Sequence, residues 1–451
     1  MFGAQSNMQY DPLVSKHVQP SLPAPTTYWH STHNCVHYEA LARDINTEYL
    51  VIGGGYTGLS AAITLAEAGK HVVLIDAHSV GFGCAGRNGG FILSGSGRLS
   101  LSAIEDKWGE STAKGMQQEF EGAVELLHKR IARHNMQVDL CQGPYFKLAH
   151  STKHAKRLHH AASIQETKFG AKSTLLSQND VERQFSINST YGGVKVEGAC
   201  LHPLKLADEY AKTAQGLGAH LYYNTPALDI LKDGSTYLVK TPSGNIRANN
   251  VLIASNAYTP KQFHNAVDNK QFPVQSSIFV TAPLTQKQQA ETGLSTPMSF
   301  MDTRMMKYYY RVLPDGRLLF GGRGAVLGKH SEHPSEKARL YRAMIKSFPA
   351  LEGIAMTHFW SGWVSVSLDD MPRIFIDTKN NDSLGYAMGY CGSGVSFAAF
   401  AGMRLAQRML GNEDIDLSLP LYQSPLPTFP FATFRRVALR GLYQWAKIAE
   451  R

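Results

Sequence analysis

The chain has 451 residues, 43% hydrophobic and 18% charged, with 45 Lys and Arg against 36 Asp and Glu for a formal net charge of +9. That length exceeds what one hydrophobic core serves, so two domains are expected, and the composition is that of a globular protein, not a disordered or fibrous one. No charge-free apolar run of about 18 residues occurs and the opening stretch lacks the apolar centre of a secretory signal, so a cytoplasmic location is expected.

Residues 1–27 are rich in Pro, Ser and Gln and predict an arm with little structure of its own, the arm region ending near residue 45. The stretch YLVIGGGYTGLSAAITLAEAGKHVVLID, residues 49–76, then predicts a strand, a glycine turn, a helix and a second strand. Leu50, Val51 and Ile52 suit a buried parallel strand, 59–68 a helix with Gly69 as its C-cap, and 72–75 the next strand. Gly53, Gly55 and Gly58 fall on the G-x-G-x-x-G spacing, with Tyr56 and Thr57 inside the same turn. The first glycine permits the tight turn, the second lets backbone approach a pyrophosphate, and the third lets the helix sit close on the sheet. Asp76 ends the second strand, where a carboxylate accepts hydrogen bonds from ribose hydroxyls and disfavours a 2′-phosphate. The spacing alone is weak, but the strand before it, the helix after it and the closing acid mark a dinucleotide site for NAD or FAD.

The next segment, GFGCAGRNGGFI over 81–92, is a glycine-rich loop whose backbone N–H groups can meet phosphate or the carbonyl edge of a flavin. Arg87 can offset anionic charge there, the alternative being a polar loop that carries it to solvent. Ser94-Gly95-Ser96-Gly97 resembles a phosphate loop only superficially, since no G-K-[ST] follows. Segment 101–194 reads as helical, with Ala123, Leu126, Leu127 and Ile131 at helical spacing. His150, His154, His159 and His160 stand in a Lys- and Arg-rich stretch without matched carboxylates, which predicts a solvated face and no metal site. Segment 263–354 alternates as strands, and the run Tyr308, Tyr309, Tyr310 suits strand packing. In the last 18 residues, Arg436, Arg440, Lys447 and Arg451 can share one helical face and Leu442, Tyr443, Trp445, Ala446 and Ala449 the other. Such a helix docks on the protein or a partner, or lies on an acidic bilayer surface. The basic residues form no continuous patch, so no nucleic-acid partner is expected. Cys35, Cys84, Cys141, Cys200 and Cys391 are widely spaced without C-x-x-C pairs and predict reduced thiols.

The dinucleotide motif together with GRNGG at 86–90 resembles the D-amino acid oxidase-like family of FAD-dependent amine oxidoreductases, most closely its gamma-glutamylputrescine oxidase-like branch. Further matches run from Tyr28-Trp29 through 198–225, 251–260 and 308–322, the middle ones weak alone, to the specific GYCGSGVSFAAFAGM at 389–403, so the resemblance covers about residues 28–430. It implies an α/β fold: a discontinuous Rossmann-like FAD-binding domain (46–100, 195–262 and 355–415), an antiparallel-sheet α+β substrate domain (101–194 and 263–354), and a basic tail at 416–451. It places Arg87, Asn88, Gly89, Gly90, Gly392, Gly394 and Val395 against FAD, and Tyr309, Arg87 and Trp363 at catalytic positions. Amino-acid oxidases of this fold grip the substrate carboxylate with an arginine where this chain reads WSGWVS over 360–365, and the closing loop 392–396 also lacks one. A free α-carboxylate would lack its bidentate partner, which points to an amine such as gamma-glutamylputrescine, with Arg311 or Arg304 available for a remote carboxylate.

The reaction implied is hydride transfer from a carbon beside a deprotonated amine to the flavin, giving an imine that water hydrolyses to aldehyde and ammonia. Reoxidation by dioxygen would give hydrogen peroxide. Two other readings stay open: a dehydrogenase feeding a membrane quinone or carrier, anchored by the tail, and an accessory flavoprotein acting on a partner protein in cofactor maturation. No cysteine occurs between Cys200 and Cys391, and Cys84 and Cys391 read as packed small side chains, so the FAD is expected to be non-covalent.

Overall fold

The computed structural model describes residues 10–95, 98–377, 383–412 and 414–449; Ser96, Gly97, Arg451 and the first nine residues of the arm lie outside these, as do the side chains of Lys447 and Ala449. The chain is mixed α/β, built on two sheets. Among the described residues the first sheet has eight strands, in the order Arg373–Ile376, Leu384–Met388, Gly244–Ile253, Ile45–Ile52, Val72–Ile75, His220–Tyr222, with the hairpin Asp229–Asp233 and Thr236–Thr241 on the side of Gly244–Ile253. Its central pairs are parallel. Parallel strands are covered on both faces, which is why Leu50, Val51, Val72, Leu74, Val251 and Leu252 are all fully buried.

The first strand starts at Ile45, earlier than the apolar run alone predicted, because polar Asn46 and Thr47 already pair with Arg247 and Ala248. The helix that follows runs Tyr56–Glu67, beginning earlier than expected since Gly55 is its N-cap. Ala68 takes the C-cap, and Gly69 follows in the left-handed conformation (φ +69°) that ends the helix.

The second sheet has nine described strands, ordered Met356–Val366, Phe272–Pro283, Arg317–Arg323, Tyr309–Val312, Ser299–Asp302, Cys141–Leu148, Gly193–Cys200, Phe91–Ile92, with Thr174–Leu176 beside Gly193–Cys200. It is antiparallel apart from the pair of Ser299–Asp302 with Cys141–Leu148. Three segments expected in the dinucleotide part therefore sit here: Phe91–Ile92, most of Gly193–Cys200, and Met356–Val366, which pairs along its length with Phe272–Pro283. Conversely, helix Glu110–Arg133, expected in the substrate part, buries Ala123, Leu127 and Ile131 in the same core as helix Tyr56–Glu67. The apolar stripe was legible from spacing; the partner it packs against was not.

The histidine-rich stretch forms helix Thr152–Phe169, but its face is less solvated than expected. His159 turns inward to donor range of the Leu176 and Gly193 carbonyls, and His150 meets the Thr303 hydroxyl, while His160 is exposed. The arm also departs from expectation. Among its described residues it has no regular structure before the short helix Tyr28–Thr32, yet Tyr10, Val18 and Leu22 are buried against Phe82, Ala257 and Trp363. No described helix is long and apolar enough to cross a membrane.

Candidate functional site

A cavity of about 810 Å³ runs from the C-terminal ends of the parallel strands across the face of the second sheet, at the upper end of the range usual for cofactor and ligand sites. At the first end, Gly53 has φ +116°, and a side chain there would press on the Ala254 backbone. Gly58 does not line the cavity; a Cβ on it would stand 1.8 Å from the Gly53 carbonyl oxygen, so its absence lets helix Tyr56–Glu67 reach the turn. No side chain caps that helix at Gly55, which leaves its first N–H groups open to the cavity. An uncapped helix N-terminus beside a glycine turn fits a diphosphate. Tyr56 anchors the turn by donating its buried hydroxyl to the carbonyls of Ala85 (3.0 Å) and Pro203 (2.8 Å), and the Thr57 hydroxyl meets that of Tyr390 at 2.7 Å. Asp76 accepts from the backbone N–H of Gly54 (2.6 Å) and of His78 (2.9 Å). Burial nevertheless pushes its carboxyl up to about 6, the two N–H groups offsetting only part of the cost.

The glycine-rich loop 81–92 forms the middle of the wall. Arg87 donates to the Phe82 carbonyl (2.7 Å) within the loop and to the Ser361 carbonyl (3.0 Å) of strand Met356–Val366, so it ties the loop to that strand and is not released to solvent. Asn88 donates to the carbonyls of Cys84 and Ala85 and accepts from the Gly90 N–H at 2.8 Å, closing the loop on itself. Two tryptophans clamp its backbone from outside, Trp360 on the Arg87 carbonyl (2.8 Å) and Trp29 on the Asn88 carbonyl (2.9 Å). Gly89 lines the cavity, whereas Gly90 packs against Leu201 behind it.

Opposite lies the closing loop. Gly392, Gly394 and Val395 line the cavity, and helix Gly394–Met409 begins there with no side-chain cap at Ser393. A second set of free helix N–H groups thus faces the same space and suits negative charge. Cys391 and Cys84 also line it; burial raises both thiols, Cys84 to about 11, so neither is a thiolate near neutral pH.

On the second sheet, Tyr309 lines the cavity, its hydroxyl 2.8 Å from that of Ser276 and its ring edge-on to Phe91. Burial pushes the phenol up to about 12. Trp363 is not brought to the cavity. Its indole donates to the Tyr10 carbonyl at 3.1 Å within the cluster that fastens the arm, and it is Gly362, Val364 and Ser365 of the same strand that line the space. Arg311 and Arg304 do not reach it either. Arg311 donates to the Leu201 carbonyl between Trp29 and Phe91, and Arg304 pairs with Asp302. In their place Lys147, Lys307 and Arg323 line the cavity. These cations belong to no sequence motif and lie far apart in the chain, so only the sheet order reveals them.

The model of the FAD dependent oxidoreductase family matches residues 48–408, and that of pyridine nucleotide-disulphide oxidoreductases matches 9–83. The gamma-glutamylputrescine oxidoreductase of Escherichia coli (strain K12) is 30% identical over 405 residues, 88% of this chain and 92% of that protein. The glycine oxidase of Bacillus subtilis (strain 168) is 24% identical over 390 residues, 84% of this chain and 94% of that protein. Among solved structures, glycine oxidase from Geobacillus kaustophilus superposes with a TM-score of 0.69 at 18% identity, over 85% of this chain and 99% of that one.

Proposed function

The chain belongs to the FAD dependent oxidoreductase family, and from that premise we propose that it oxidises amines whose reacting carbon bears no carboxylate, such as gamma-glutamylputrescine, with dioxygen as electron acceptor. The imine released would hydrolyse to an aldehyde and ammonia, and dioxygen would leave as hydrogen peroxide. FAD, when bound, supplies a two-electron acceptor for the hydride. Gly53, Gly55 and the start of helix Tyr56–Glu67 would hold its diphosphate, and Asp76 its ribose. The loop 87–89 and the start of helix Gly394–Met409 would hold the ring system, held there without a covalent bond. Tyr309 and Ser276 would orient the amine, and the tryptophan-clamped loop would keep water from the reacting carbon.

One observation carries this reading: a single cavity joins the dinucleotide end to Tyr309, and its 361–365 edge presents Ser361 as a carbonyl acceptor for Arg87 and Gly362, Val364 and Ser365 as lining, with no arginine for an α-carboxylate. The test is anaerobic loss of the flavin absorption band on adding amines and, separately, D- and L-amino acids. Reduction by carboxylate-free amines, reversed by air with peroxide formed, is expected. Reduction by α-amino acids alone would overturn the substrate class, and a bound flavin that no small amine reduces would favour a protein substrate.

A second reading of the acceptor is favoured by helix Arg435–Ala449. Its Leu439 and Ala446 face inward, while Phe434, Val437, Trp445 and Ile448 form an exposed apolar stripe beside exposed Arg440. That combination suits an acidic bilayer surface, and so a membrane-borne acceptor. Sedimentation with vesicles containing acidic lipid, lost on deleting 434–451, together with slow reoxidation by air, would establish it over dioxygen.

A further inference from the structure

The roles proposed above leave the cations on the second sheet unassigned. Lys147, Lys307 and Arg323 come from three separate strands or their flanks, yet all line one cavity. The register shows why they meet. Lys147 lies opposite Met301, Met301 opposite Tyr309, and Tyr309 opposite Gly321, so these residues form a row across four neighbouring strands. Lys147 is therefore two strand spacings, ~10 Å, from Tyr309 along that row. Arg323 stands opposite Ser276, the residue whose hydroxyl meets that of Tyr309, and Lys307 lies two residues before Tyr309.

None of the three side chains makes an ion pair or a hydrogen bond among the described residues. Nearby acids are committed or apart: Asp302 is paired with Arg304, Asp370 with Arg98 at 3.0 Å, and Glu121 accepts from Gln117. Glu197 lines the same cavity but is exposed. Burial disfavours charge on each cation. It lowers Lys307 to about 8, with Arg323, Lys147 and Arg98 lowering it further. Lys147 and Arg323 are lowered by burial too, Arg323 also by Arg98. Like charges packed together without a counter-charge are costly, and a fold keeps them where a ligand supplies the missing charge. The diphosphate does not supply it, since its cradle is on the other sheet.

We propose that Lys147, Lys307 and Arg323 form an anion subsite that takes a carboxylate at the far end of the substrate, several bonds from the carbon that is oxidised. This rests on the amine oxidase reading and adds to it the half of the substrate that does not react. Arg323 offers a planar fork for two carboxylate oxygens, and the lysines add point charges. Gripping the remote end fixes the amine end beside Tyr309. The absence of an arginine at 360–365 and the presence of cations here thus answer each other: the carboxylate is wanted, but elsewhere.

The test uses the purified holoenzyme with two readouts. In the first, the N-butyl amide of glutamate at its γ-carboxyl, which keeps the distal carboxylate and lacks the reacting amine, is titrated while the flavin spectrum and the heat of binding are recorded. Arg323→Gln, Lys307→Met and Lys147→Met should each weaken binding about tenfold or more, and Arg323→Lys should recover part of it. In the second, the ratio of kcat/KM for gamma-glutamylputrescine to that for putrescine should exceed one in the parent and fall about tenfold in each variant. Three variants on different elements keep the test open should one fail to fold. Equal binding of the amide by parent and variants, with an unchanged ratio, would refute the subsite while leaving the oxidase intact. Absence of flavin reduction by either amine would instead refute the oxidase, and the binding titration would still decide the subsite.

Discussion

Asp76 shows how much a single carboxylate can reveal about cofactor binding. Burial pushes its carboxyl up to about 6. A raised carboxyl pKa means that the folded chain holds this proton more tightly than the unfolded one. Its stabilising share is therefore present below the ordinary carboxylate range and is lost as pH rises through about 6. Ribose hydroxyls prefer the carboxylate, so FAD affinity should move the other way and fall below about pH 6, by up to about tenfold per unit. Asp76→Asn should flatten that dependence and weaken FAD about tenfold or more above pH 6, as read by flavin fluorescence quenching in a titration from about pH 5 to 8. Tyr309 makes a second prediction. A phenol near 12 is no base at neutral pH, so Tyr309 should act only as a hydrogen-bonding and packing group. Tyr309→Phe keeps the ring against Phe91 and drops the contact with Ser276. It should lower kcat/KM about tenfold with flavin content unchanged; a loss of ~10²–10⁴ would instead mark it as an acid or base. The position of Asp76 at the cavity was legible from sequence because it follows from spacing along one short segment. That of Trp363 was not, because which face of its strand meets the cavity is set by a partner strand about 90 residues earlier in the chain.

At the scale of elements, the nucleotide end depends on two helices that cross closely. Helices Tyr56–Glu67 and Gly394–Met409 both begin at the cavity without side-chain caps, and a Cβ on Gly402 would stand 1.9 Å from the Thr57 carbonyl oxygen. That contact is backbone, so the helices themselves would have to part. Gly402→Ala should lower stability by about 1–3 kcal/mol or more and weaken FAD in parallel, since the shifted helix carries Thr57 at its N-terminal turn. Chemical denaturation with and without FAD checks both; a variant as stable as the parent with unchanged affinity would show that the crossing is loose. The strand, glycine turn and helix of 45–67 were legible because their signals are local: an apolar run, fixed glycine spacing and a helix opening at Gly55. The second sheet was not, since its neighbours are drawn from both halves of the chain, Ser299–Asp302 pairing with Cys141–Leu148 and Cys141–Leu148 with Gly193–Cys200. Alternation identifies such strands but does not order them, which is also why the cation row escaped the sequence.

For the molecule as a whole, the described start of the arm and the last helix, Arg435–Ala449, meet beside the cavity. Tyr10 stacks on Tyr258, a lining residue, and donates its hydroxyl to the Tyr258 carbonyl at 2.7 Å. Asp11 accepts from the Gly328 N–H at 3.0 Å and pairs with Arg436 on helix Arg435–Ala449. That helix in turn sets Leu439 against Val274, Val366 and Cys391, the last of them a cavity residue. A proline-rich arm reads as unstructured because it has neither helical nor strand periodicity, but periodicity reports hydrogen-bonded elements and not burial. Here three separate apolar side chains, Tyr10, Val18 and Leu22, dock on a finished surface instead of forming an element. Each such burial stabilises by roughly 1.5–3 kcal/mol before the entropy of ordering the arm is subtracted. Deleting residues 1–22 would leave Phe82 and Trp363 partly uncovered and Arg436 without Asp11. The deletion should therefore lower Tm, speed the loss of FAD on dilution, and loosen helix Arg435–Ala449 to proteolysis. Trp363→Phe, which keeps the apolar ring and loses only the bond to the Tyr10 carbonyl, should show the same changes in weaker form, with the rate of amine oxidation per bound flavin unaltered. A fall in that rate at full flavin occupancy would return Trp363 to the reacting centre, and an arm deletion without effect on FAD retention would mean that the arm covers the cavity without holding its contents.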